Sequence, residues 1–146
     1  MKKIIGQKLY ELIPILIKNI KDTLKNENLN NCSELSICKE FCTVKIGLPR
    51  RTGNTSLCIH IATTNNNVAV ITYSPSHVKC FIHEAKKQNK LSLFNEKLIT
   101  DKSNISFLYG KNIDIIVIDI MSIMSQHQLD RIYKYFGKNK IYFLIG

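Results

Sequence analysis

Several short, nearly unbroken apolar runs punctuate this chain: Val68-Ala69-Val70-Ile71-Thr72-Tyr73, Ile113-Asp114-Ile115-Ile116-Val117-Ile118-Asp119, and Ile141-Tyr142-Phe143-Leu144-Ile145 within Lys140 to Gly146. Their β-branched content and short length predict strands buried on both faces, as in a parallel sheet covered by helices. Cys42-Thr43-Val44-Lys45-Ile46 reads as a further buried strand, and Ile105-Ser106-Phe107-Leu108-Tyr109 as a short one ending at Gly110.

Between these runs the pattern takes a helical period. From about Gln7 to Asn26, Leu9, Leu12, Ile13, Leu16, Ile17, Ile20 and Leu24 form one broad apolar face, with Lys8, Lys18, Lys21 and Lys25 off it. Pro14 predicts a kink or a fresh start in that helix. Asn26 to Ser33 is a polar loop, and Ser33 caps a short helix to Phe41. A helix follows Gly53, and Thr63 to Asn67 is a polar turn. Ser74-Pro75-Ser76 opens the next helix with proline near its first position. Leu91 to Asn104 has no clear period. Ser125 to Phe136 is a helix with Leu129, Ile132, Tyr133 and Phe136 as its buried stripe, stopped by Gly137. Strands alternating with helices predict an α/β protein, a parallel sheet of about four to five strands between helix layers. The expected organisation is one domain over 1–146, with 1–41 as a helical extension and 42–146 as the sheet core.

Charge narrows the class of partner. Lys and Arg number 21 against 11 acidic residues, a net charge of +10. Such a surface favours polyanions, nucleic acid first and nucleotide phosphates second. A protein partner or a homo-oligomer is the other expectation. The best apolar stretch, Leu12 to Ile20, is broken by Pro14 and Lys18 and is too short to span a bilayer, so no membrane partner is expected. Five cysteines (Cys32, Cys38, Cys42, Cys58, Cys80) with no secretory pattern ahead of them suggest reduced thiols and a cytoplasmic setting. The spacing of Cys32, Cys38 and Cys42 fits no common zinc pattern. His77, Cys80 and His83 recur every third residue on one helix, but no fourth ligand is evident.

The most informative chemistry lies between the first strand and its helix, at Leu48-Pro49-Arg50-Arg51-Thr52-Gly53-Asn54-Thr55-Ser56. A strand, a tight polar loop and a helix N-terminus make an anion cradle, because the first helical N–H groups and the helix dipole face the loop. Pro49 to Ser56 are therefore the candidate nucleotide-binding residues. Measured against G-x-x-x-x-G-K-[ST], Gly53 and Thr55 match, Leu48 stands at the first glycine, and Asn54 replaces the lysine. Arg50 and Arg51 are the candidates for the missing positive charge. Asp119, at the tip of an apolar strand about sixty residues on, is placed to join the Thr55 hydroxyl in holding Mg²⁺.

GLPRRTGNTSLCIHIA, VAVITYSPSHV, IDIIVIDIMSIMSQHQLDRIYKYF and KIYFLIG together resemble the nucleotide-binding core of helicase-type P-loop NTPases. The viral terminase large-subunit ATPases are nearest in character, since an Arg-Arg pair before the glycine is familiar there. The resemblance covers Cys42 to Gly146 and implies a three-layer fold truncated after the sensor strand, with ATP and Mg²⁺ as cofactors. It assigns catalytic roles to Arg50, Arg51 and Asp119 and suggests a viral or mobile-element origin. The chain departs from the family where the water-activating glutamate usually follows the aspartate, for Ile120 stands there. Glu84 and Asp114 are the nearest acids and poor substitutes. The expected function is a nucleic-acid-binding or regulatory module with weak or absent nucleotide hydrolysis. The alternatives are an active Mg-dependent ATPase using Arg50 or Arg51, and a protein-interaction factor that keeps the fold without the chemistry.

Overall fold

A computed structural model of the chain describes residues 2–47, 53–119 and 124–146. Its helices are α1 (Lys2–Asn26), α2 (Glu34–Phe41), α3 (Asn54–Thr64), α4 (Pro75–Lys87) and α5 (Gln126–Phe136). Its strands are β1 (Thr43–Ile46), β2 (Val68–Thr72), β3 (Ile99–Asp101), β4 (Ile115–Ile118) and β5 (Ile141–Ile145). The five strands form one sheet in the order β1-β5-β4-β2-β3, and every neighbouring pair is parallel.

Helices on both faces explain the continuous apolar runs. Every residue of β2, β4 and β5 is buried. Alternate side chains serve opposite cores. Val70, Val117 and Phe143 pack with α1, α3 and α4, while Ile71, Ile118 and Leu144 pack with α2 and α5. Residues 1–41, expected as an extension, thus contribute a helix to each layer. Buried polar groups on the second face are satisfied. Thr43 Oγ1 donates to the Cys38 carbonyl at 2.6 Å, so Tyr133, at 2.7 Å, donates to Thr43. Tyr142 donates to the Gly137 carbonyl at 2.6 Å.

Several expectations need correction. β1 is not a buried strand: it lies at the sheet edge, half-buried, with Lys45 exposed. The buried stripe of α1 is narrower than its sequence suggests, comprising Ile13, Ile17 and Ile20, while Leu12 is 44% exposed. α1 also continues through Pro14. Ile105–Leu108 is a 3-10 turn, not a strand. Its residues three apart, Ile105 and Leu108, eclipse toward the core, and Phe107 points to solvent at 69% exposure. β3 forms within the stretch that showed no period. On α4 the buried edge is Phe81 and Ala85, whereas Cys80 and His83 are exposed.

Candidate functional site

The site is built where the strands end. α4, which follows β2, packs on one face of the sheet, and α5, which follows β4, packs on the other. β2 and β4 are neighbours, so their connections diverge and open a crevice at the carboxyl edge. Ligands of parallel α/β sheets bind at such a switch point. Asp119 follows β4 at this place, and its N–H donates to the Ile71 carbonyl of β2 at 3.0 Å, which fixes the strand tip.

β1 ends at the same edge, and α3 starts there. Gly53 caps that helix with φ +98°, a left-handed conformation that costs a side-chain-bearing residue energy although the space around it is open. Leu57 N–H makes the first helical bond to the Gly53 carbonyl at 2.9 Å. The N-terminal end of α3, where helix dipoles attract anions, therefore faces the carboxyl edge. Thr55 Oγ1 donates to Asp119 Oδ2 at 3.3 Å, so the loop side and the strand tip meet across β5.

Among the residues singled out by sequence, Gly53, Asn54, Thr55 and Ser56 start α3 or cap it, and Asp119 lies against Thr55. Ser56 has a different task. Its hydroxyl accepts from Gln88 Nε2 at 2.9 Å and ties α3 to the end of α4. Pro49, Arg50, Arg51 and Thr52 lie outside the described residues, as does Ile120. Of the two substitute acids, Asp114 precedes β4 at the opposite end of the sheet, about 16 Å of strand from Asp119, and accepts from Asn67 Nδ2 at 3.0 Å. Glu84 accepts from Gln88 on its own helix at 3.0 Å. A larger cavity of about 500 Å³ also lies at that opposite end, lined by Lys21, Asn65, Asp114 and Lys140, and is remote from Asp119.

The pair has a donor set suited to Mg²⁺. A hydroxyl and a carboxylate are hard oxygen ligands, and Mg²⁺ takes only one or two protein ligands beside water and phosphate oxygens. Adjacent ligands on an octahedral ion at about 2.1 Å are separated by about 3 Å, close to the observed spacing. Thr55 and Asp119 are the residues that would hold it.

Sequence reasoning missed Cys58. It is fully buried one turn after Thr55, and its thiol is held well above its ordinary pKa, first by burial, then by the charge of Asp119 and a hydrogen bond to it. The signal was available, since residues three apart on a helix share a face. Asp119 is itself only 3% exposed. At the end of β2, Ser74 caps α4 where the sequence opened a helix, and its hydroxyl bonds His77 Nδ1 at 2.7 Å, a contact the sequence did not show.

No family model, curated protein or solved structure matches this chain. Among the described residues, no group of three or more His, Cys, Asp and Glu could hold a metal ion, and no helix is long and apolar enough to cross a membrane.

Proposed function

We propose that this chain is a P-loop-like nucleotide-binding domain that serves nucleic-acid transactions as a binding or regulatory module, with weak or absent hydrolysis. The observation that carries the reading is the 3.3 Å contact between Thr55 Oγ1 and Asp119 Oδ2 at the carboxyl edge, beside the N-terminus of α3. In such a site the helix N-terminus receives phosphate oxygens. Thr55 and Asp119 would hold Mg²⁺, which would neutralise phosphate charge. Asn54 donates a hydrogen bond without charge, so any positive compensation comes from Arg50 or Arg51.

The argument for weak chemistry is electrostatic. The loop lysine and the water-activating glutamate are both replaced, by Asn54 and Ile120. Removing one preorganised electrostatic contact commonly costs about 10²–10³ in rate. The net charge of +10 supports the nucleic-acid part.

Calorimetric titration with Mg-ATP and a non-hydrolysable analogue tests the nucleotide part. Wild type should release heat only with Mg²⁺ present, and Asp119→Ala should bind at least tenfold more weakly. Thr55→Ser, which keeps the hydroxyl, should still bind, and phosphate release should stay near background throughout. Absence of any Mg-dependent heat from folded wild type would remove the nucleotide reading.

A further inference from the structure

Away from Thr55 and Asp119, at the outer end of the same carboxyl edge, an open cleft of about 40 Å³ lies between the turn after β3 and α5. It is lined by Lys102, Ser103, Ile105, Gln128, Arg131 and Ile132. One water needs about 10–15 Å³, so the cleft has room for the oxygens of a phosphate.

Lys102 and Arg131 give it two cations. Of the two carboxylates adjacent in sequence, Asp130 is ion-paired with Lys39, and Asp101 is buried against the turn that carries Ser103. Asp101 accepts from Ser103 N–H at 2.9 Å and Asn104 Nδ2 at 2.8 Å. Asp130 pairs with Lys39 at 3.0 Å and accepts from Gln126 Nε2. Neither Lys102 nor Arg131 makes an ion pair among the described residues. Gln128 Oε1 accepts from Ser125 N–H, which leaves its amide NH₂ as the end available to the cleft.

Close in sequence to this cleft, the chain presents aromatic rings to water. Phe107 and Tyr109, two and four residues beyond Ile105, are 69% and 83% exposed. Tyr73, by contrast, already has Lys102 Nζ over its ring at 4.5 Å. Among the described residues neither Phe107 nor Tyr109 stacks on another ring, and Lys111 follows as a further cation. Cations that take phosphate beside bare rings that take bases are the two parts of a single-strand binding surface.

We propose that single-stranded nucleic acid seats here, one phosphate in the Lys102–Arg131 cleft and its flanking bases on Phe107 and Tyr109. This rests on the nucleic-acid part of the function proposed above and names the surface that performs it, separate from the nucleotide site.

The test is fluorescence anisotropy of a labelled oligo-thymidylate titrated with the full chain at several salt concentrations. Arg131→Ala should weaken binding and flatten the log–log salt slope by about 0.7, the loss of one phosphate contact. The double variant Phe107→Ala, Tyr109→Ala should lose at least tenfold in affinity with the salt slope unchanged, as lost stacking requires. These side chains are exposed, so the variants should keep the wild-type circular dichroism. The chain contains no tryptophan, so Tyr109→Trp supplies a single reporter whose emission the oligonucleotide should quench. Wild-type binding that both variants retain, with no quenching, would overturn this surface and leave the nucleic-acid reading standing. Failure of wild type to bind at low salt would overturn both.

Discussion

At His60 the imidazole lies flat on the Tyr10 ring, with centroids 3.9 Å apart and planes 4° from parallel. This stack joins α1 to α3, and burial first and the charge of Lys90 second lower the histidine pKa from its ordinary 6.5. The folded state therefore binds this proton less readily than the unfolded chain. Its contribution to stability is complete above about pH 6.5 and declines as pH falls toward the lowered folded value. Thermal denaturation of wild type and His60→Phe between about pH 7.5 and pH 5.5 should show wild type losing more Tm on acidification, because phenylalanine keeps the ring and removes the titration. Parallel curves would show that His60 does not carry the effect. Part of the candidate site was legible at this scale. Gly53, Thr55 and Asp119 announce themselves by type and context. Cys58 is marked only by its place one turn after Thr55, and a buried thiol in an apolar helix looks like ordinary core until Asp119 is known to bond it.

Helix α5 is defined at both ends by its own residues. Ser125 Oγ accepts from Gln128 N–H at 3.2 Å and the Gln128 side chain accepts from Ser125 N–H at 2.9 Å, while Gly137 ends the helix at φ +82°. This reciprocal cap satisfies N–H groups that the helix itself leaves open. Ser125→Ala should cost about 1 kcal/mol, read as a lower urea midpoint at unchanged slope. Such local signals explain why the caps at Ser33, Ser74 and Gly137 and the strands β2, β4 and β5 were readable. Where elements are short, the pattern fails. β3 spans only Ile99–Asp101, too few residues for a period to appear. Ile105 to Tyr109 has the apolar and aromatic content of a strand, yet residues three apart suit a 3-10 turn equally well. The burial of β1 depends on its place at the sheet edge, and strand order is a tertiary property that no local window contains.

At the scale of the whole molecule, the two cores divide the cysteines by reactivity. Cys38, Cys42 and Cys58 are buried, and Cys32 and Cys80 are exposed. Burial and the neighbouring Cys38 push the Cys42 thiol up to about 11. A thiol-reactive dye at mild alkaline pH should modify Cys32 and Cys80 quickly and the other three only in denaturant; rapid modification of all five would mean that the cores are open. The order of the sheet carries a further consequence. Among the described residues β1 has β5 as its strand partner, pairing Thr43 with Tyr142, although the two are far apart in the sequence. A growing polypeptide that has already left the ribosome through β4 still has an empty slot between β1 and β4. Gly53 and Asp119 are held in register only once β5 occupies that slot. Any ligand that needs Gly53 and Asp119 together therefore depends on β5 as much as on the loop that touches it.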